Sequence, residues 1–160
     1  MWNKLFLKSV IEADSPIRFN ERFDCYEDLL FVLSYMQRCQ FVSRTDSAIY
    51  VYNKDNVQSI SHMQINYRNV CKIIGLDAVC DKLNEFEDVR DELYSRKSQL
   101  LKLCVFFCIK LLFKKDIEKK KSLTLLRKVM KKYSKNFQPD EDWDIRYKIV
   151  YKTMSLLRFI

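Results

Sequence analysis

Apolar residues recur with a helical period along most of the chain. In the second part this period predicts helices near 64–75, 77–94, 96–115, 117–136 and 141–158. The first part is mixed, because helical periods at 1–11 and 26–38 alternate with short β-like runs at 17–19, 41–42 and 48–52. The pattern therefore predicts an α+β protein that is mostly α-helical, with a mixed segment at 1–62 followed by a helical segment at 63–160.

Turn and capping residues mark several of the predicted helix ends. Gly75 predicts the C-terminal end of one helix, and Asp77 predicts the N-terminal cap of the next. Pro139 and Asp140 predict the start of the last helix, and the D-W-D sequence at 142–144 supplies carboxylates to its first turn. Gly75 is the one glycine among 160 residues, which excludes a Gly-rich phosphate loop and disfavours a turn-rich all-β fold.

Positive charge is concentrated in the second half of the chain. Residues 1–90 carry 11 Lys and Arg against 13 Asp and Glu, whereas residues 91–160 carry 18 against 8, a net charge of +10. Such an imbalance indicates an anionic partner, either an acidic membrane surface or nucleic acid. Nucleic acid is disfavoured because no helix-turn-helix spacing, RNP-type aromatic strand or zinc finger accompanies the basic residues. A solvated, lysine-rich helix face explains the same charge without any partner.

The longest apolar run lies at 100–113 and precedes the most basic part of the chain. Lys102 and Lys110 interrupt this run, and it is shorter than the ~20 apolar residues that a membrane-spanning helix needs. Many lysines follow it between 114 and 135. An apolar helix followed by a basic one is typical of a peripheral membrane anchor. The alternative is a buried helix beside a solvated one, and the sequence leaves both open.

The cysteine pattern indicates a reducing compartment. The six cysteines form no C-x-x-C pair, and with a single histidine, His62, a Cys/His zinc site is disfavoured. Most of them lie in apolar runs, where a free cysteine behaves as a small buried hydrophobe. Asn3 and Lys4 interrupt the first apolar residues, so no signal peptide is predicted. We therefore expect a cytoplasmic protein. A further expectation is that it binds peripherally at the inner face of the cell membrane.

Two features carry candidate chemistry. Glu27 and Asp28 form an acidic pair at the start of a predicted helix, where a carboxylate is suited to general-base catalysis. The simpler interpretation is that both acids only complement the positive end of the helix dipole. His62 follows a polar loop, and it is either a single metal ligand or a structural or solvent-exposed side chain.

Five short runs, taken in order, resemble the second half of bacterial family 2 glycosyltransferases. The runs are W-N-K-L-F at 2–6, I-R-F-N-E at 17–21, Y-E-D-L-L-F at 26–31, Y-V-Y at 50–52 and N-V-Q-S-I-S at 56–61. These enzymes have the GT-A fold and build capsular and other surface polysaccharides. The resemblance covers about residues 1–75, and its specificity comes from the order and spacing of the five runs.

The resemblance implies transfer of a sugar from a nucleotide-diphosphate donor to a saccharide or lipid-linked acceptor, with inversion. In that reaction Asp28 is the general base that takes the proton of the acceptor hydroxyl, and Glu27 orients the acceptor. His62 matches, in order only, a histidine that binds the metal in some of these enzymes. The remaining substrate contacts that the resemblance implies are Trp2, Lys4, Tyr50 and Tyr52.

The resemblance also implies that the nucleotide-binding half of such an enzyme is absent from this chain. That half carries the D-x-D motif that holds Mg²⁺ or Mn²⁺ on the donor diphosphate, and the D-W-D sequence at 142–144 stands in the wrong order to replace it. We therefore expect an acceptor-side fragment, from a truncated or a split gene, that has no transferase activity alone and carries a helical tail. The alternative function is a small basic helical module that binds an anionic membrane surface or a protein partner.

Overall fold

A computed structural model of the chain describes residues 4–47, 70–113, 118–135, 137–139 and 141–156. These residues form six helices, namely α1 (Lys8–Ile11), α2 (Glu27–Met36), α3 (Lys72–Leu83), α4 (Arg90–Leu112), α5 (Lys119–Tyr133) and α6 (Ile145–Leu156). The described ranges contain no strand. The predicted α+β class, with short strands left from a GT-A domain, is therefore wrong for the described part of the chain, which is entirely helical.

The β-like run at 17–19 is a loop whose side chains pack against α2. Ile17 is buried, and its backbone N–H donates to the carbonyl of Ile11, 2.9 Å away, at the end of α1. The ring of Phe19 stacks on that of Phe31 in α2. β-Branched and aromatic residues favour any half-buried surface, so their enrichment here does not require a sheet.

The run at 41–42 also forms no strand. Phe41 is 88% exposed and Val42 is 74% exposed, so neither packs against a sheet or a helix. The third predicted strand, at 48–52, lies outside the described residues. The predicted boundary between the two segments at 62–63 lies outside them as well. Within the described residues α2 packs on α3, so residues from both segments share one core.

α4 is the central helix of the described structure. It packs against α3, α5 and α6, and the apolar run at 100–113 provides its buried side. The fully or nearly fully buried side chains of that run are Leu100, Leu101, Cys104, Val105, Phe107, Cys108 and Leu111. This arrangement decides between the two interpretations of the run in favour of a buried core helix. None of the helices in the described ranges combines the length and the apolar character needed to cross a bilayer.

The helix boundaries follow tertiary contacts as much as local chemistry. α3 runs through Gly75 and Asp77 without a break, so the predicted helix end at Gly75 and the predicted cap at Asp77 are wrong. The next break comes at 84–89, where Asp88 has a positive φ of 57°, rather than near residue 95. The predicted helix over 1–11 is described from residue 4 onward, and within 4–11 it is helical at Lys8–Ile11 and non-helical at 4–7.

The last helix begins at Ile145, later than the start that Pro139 and Asp140 predict, so the D-W-D sequence precedes the helix instead of lying in its first turn. The predicted capping role of that sequence is retained. Asp144 immediately precedes α6, and its Oδ1 accepts a hydrogen bond from the backbone N–H of Arg146 at 2.8 Å. This is the geometry of an N-cap, which satisfies one of the free amides of the first turn. The guanidinium of Arg146 binds the same carboxylate, and these hydrogen bonds lower the pKa of Asp144 to about 2.

Candidate functional site

The acidic pair lies in the first turn of α2, as the sequence predicts. Tyr26 precedes it in a left-handed conformation with φ at 69°, a region that non-glycine residues seldom adopt. The half-buried ring of Tyr26 packs against the main core, and burial raises the pKa of its hydroxyl. The start of α2 is thus held by a turn that contacts the helical bundle.

Residues from three of the resemblance runs meet on one face of α2. Phe6, Ile17 and Phe31 belong to one apolar cluster, which also contains Tyr35. The ring of Phe6 lies edge-on to Phe31 and to Tyr35, with centroids 5.6 Å and 4.9 Å apart. Phe19 stacks on Phe31 at 4.7 Å. The runs at 2–6, 17–21 and 26–31 are therefore neighbours in space as well as in order.

Glu27 stands one turn before Phe31 on the same face of α2. Glu27 is half-buried, and its Oε2 atom is inaccessible to solvent and has no hydrogen-bond partner among the described residues. A buried carboxylate oxygen without a donor costs free energy, so a stable position usually has a reason in packing or in ligand binding.

Asp28 is half-buried beside Glu27 and lies in the positive field of the α2 N-terminus. Its Oδ1 accepts a hydrogen bond from the backbone N–H of Leu29 at 2.7 Å.

The other predicted site residues are only partly described. Lys4 is exposed and lies in the segment before α1. That segment is tied to α2 by a hydrogen bond of 2.9 Å from the backbone N–H of Leu7 to the hydroxyl of Tyr35. The remaining predicted residues, Trp2, Tyr50, Tyr52 and His62, lie outside the described residues.

The D-W-D sequence at 142–144 does not fit a metal site. Asp144 is engaged by Arg146 through both carboxylate oxygens, and Trp143 is a core residue that is 2% exposed. The indole Nε1 of Trp143 donates to the Oγ of Ser98 at 2.8 Å. Elsewhere in the described ranges no group of three or more metal-ligating side chains comes together. The divalent cation that the resemblance implies therefore has no ligand set among the residues whose positions are known.

A polar cluster between α3 and α5 was not predicted from the sequence. The Lys132 ammonium lies 2.8 Å from Asp77 and 2.7 Å from Asp81, and the hydroxyl of Tyr133 donates to Asp77 at 2.6 Å. Burial and the bond to Asp77 raise the pKa of Tyr133 far above its ordinary value. Asp77 and Asp81 are four residues apart, a spacing that places both carboxylates on one face of α3. The cluster joins α3 and α5, and its charged groups and hydroxyl are paired with one another.

The exposed side of α5 carries the strongest charge in the described structure. Its buried side consists of Ser122, Leu126, Val129, Met130 and Tyr133. The opposite side, which we call the basic face, consists of Lys120, Lys121, Arg127, Lys128, Lys131 and Lys132, all exposed. α5 contains no acidic residue. The apolar side of this helix is thus occupied by the core, and only its charge is available to a partner.

Comparison of the chain with protein-family models, with curated proteins and with solved structures found no match.

Proposed function

We propose that this chain provides the acceptor side of a sugar transfer from a nucleotide-diphosphate sugar to a saccharide or lipid-linked acceptor, with Asp28 as the general base. The observation that carries the proposal is the meeting of residues from three resemblance runs on the face of α2 that carries Phe31 and Tyr35. The proposal concerns the acceptor side and its chemistry; it does not include a GT-A sheet.

The two acids at the start of α2 have different proposed roles. Asp28 is half-buried in the first turn of α2, and the resemblance assigns it the proton of the acceptor hydroxyl. The role of Glu27 in orienting the acceptor is taken from the resemblance, since its Oε2 atom is inaccessible to solvent in this structure. In the proposed reaction the acceptor oxygen bonds to the anomeric carbon, its proton passes to Asp28, and the nucleoside diphosphate leaves with the electrons of the broken bond.

A binding experiment tests the acceptor side without requiring a complete enzyme. The isotope-labelled chain is titrated with galactose, N-acetylglucosamine and lactose at millimolar concentration, and backbone amide shifts are followed by NMR. We expect at least one of these sugars to shift the amides of residues 27–31. We expect Glu27→Gln and Asp28→Asn each to weaken that binding by at least about tenfold, since each removes a charged hydrogen-bond acceptor.

The chain offers a matched control for this experiment. Glu141 and Asp142 form a second, exposed Glu-Asp pair. The Glu141→Gln and Asp142→Asn variants should bind sugar as the wild type does. Absence of any shift at 27–31 with all three sugars, or equal weakening in the control variants, would overturn the proposed acceptor site.

A further inference from the structure

We infer that the basic face of α5 binds an anionic lipid bilayer by charge alone, without inserting the helix. The inference is independent of the proposed sugar transfer, because it rests on residues 119–133 rather than on α2. An amphipathic anchor normally buries its apolar side in the membrane. The apolar side of α5 is already buried against α4 and α3, with Leu126 and Met130 fully inaccessible.

The distribution of charge on α5 lowers the stability of the helix. Arg127 and Lys131, and likewise Lys128 and Lys132, are pairs of like charges one turn apart, a spacing that destabilises a helix. Among the described residues, two of the face's lysines are paired: Lys132 with Asp77 and Asp81, and Lys121 with Glu118 at 3.5 Å.

Three lysines of the basic face have no ion pair within the part of the chain whose positions are known. They are Lys120, Lys128 and Lys131, and they span about 16 Å along the helix axis. A merely solvated helix face usually carries charges of both signs. α5 carries seven Lys and Arg in its fifteen residues and no acid, a distribution that instead matches an extended negative surface.

The chemistry of the face favours lipid headgroups over nucleic acid. Between its basic residues the face exposes Thr124 and no aromatic, Asn or Gln side chain that would read or stack on bases. Lysines act as point charges that suit a diffuse array of phosphates. Phe113, which is 85% exposed, follows α4 and stands seven residues before Lys120 in the chain, and aromatic rings favour the membrane interface.

Vesicle co-sedimentation tests the inference with the whole chain. We expect binding to vesicles that contain phosphatidylglycerol and none to pure phosphatidylcholine, with binding lost at high salt. Replacing Lys120, Lys128 and Lys131 by Gln should lower the partition coefficient roughly 100-fold, since each lysine near an anionic surface contributes about fivefold. Gln matches Lys in helix propensity, so α5 should be retained.

Two further variants separate the basic face from net charge and from folding. The control triple, Lys8→Gln with Arg22→Gln and Lys152→Gln, removes three exposed charges elsewhere and should lower binding by much less. Lys→Arg replacements at 120, 128 and 131 should keep binding. Equal binding to neutral vesicles, equal loss in the control triple, or binding to duplex RNA but not to anionic vesicles would each overturn the inference.

Discussion

The backbone of Gly75 lies directly against the carbonyl group of Cys25. A Cβ atom added at Gly75 would collide with the Cys25 carbonyl oxygen and would stand 3.3 Å from Cδ2 of Tyr26. This contact joins the middle of α3 to the turn that begins α2. The single glycine of the chain therefore allows a close approach of two backbones, and it ends no helix.

Gly75→Ala should destabilise the protein although it raises helix propensity. In an open helix interior this change stabilises by ~0.5–1 kcal/mol. Here the added methyl group must displace the Cys25 carbonyl, and overpacking of this kind costs ~1–3 kcal/mol. Urea denaturation followed by circular dichroism measures the difference in unfolding free energy. A gain in stability would contradict the backbone contact.

The buried hydrogen bond between Trp143 and Ser98 should be visible in a double-mutant cycle. Ser98→Ala leaves the indole N–H of Trp143 buried without its acceptor, which costs ~1–3 kcal/mol. Trp143→Phe removes the donor, and in that background Ser98→Ala should cost clearly less. Additive losses in the double variant would show that the two side chains do not interact.

Glu27→Met should stabilise the chain while abolishing the proposed sugar binding. The variant removes the buried, unpartnered Oε2 atom, a gain of ~1–3 kcal/mol, and loses an interaction with the helix dipole of ~0.3–1 kcal/mol. The net change should be a gain of about 1 kcal/mol in urea denaturation. Unchanged or lower stability would mean that this carboxylate is satisfied in solution.

Stability should fall as the pH rises above about 10, and Tyr133 should contribute to that fall. The pKa of Tyr133 is raised in the folded state, so its contribution is complete below the ordinary tyrosine pKa of about 10 and is lost at higher pH. The pKa of Lys132 is also raised, because the Asp77 and Asp81 carboxylates outweigh its partial burial. Unfolding free energies of wild type and Tyr133→Phe, measured between pH 8 and pH 11, should converge as the pH rises.

The cysteines should fall into two classes of reactivity. Burial raises the pKa of Cys80 and Cys108 to about 12 from an ordinary 9.0, which lowers the thiolate fraction near neutral pH roughly 1000-fold. Cys104 is fully buried and its pKa is raised as well. A short pulse of iodoacetamide followed by peptide mass spectrometry should label the half-buried Cys25, Cys39 and Cys71 first. Uniform labelling would contradict this burial pattern.

Local sequence predicted the features that depend on near neighbours. The helical period located α2, α4, α5 and α6, and the carboxylate of Asp144 caps α6 as its position suggests. The Glu27–Asp28 pair falls in a helix's first turn as expected. Helix period and capping involve residues within four positions of one another, so they can be read without knowledge of the fold.

Tertiary contacts determined the features that the local sequence did not predict. Ile17 and Phe19 favour a strand locally, yet their partners are Phe31 and the end of α1, so they form a packed loop. Gly75 looks like a helix end until Cys25, fifty residues away, is placed against it. Similarly, a basic helix looks like a membrane anchor that inserts its apolar side until that side is filled by the core. Each of these outcomes depends on which distant surface a side chain meets, and no local pattern contains that information.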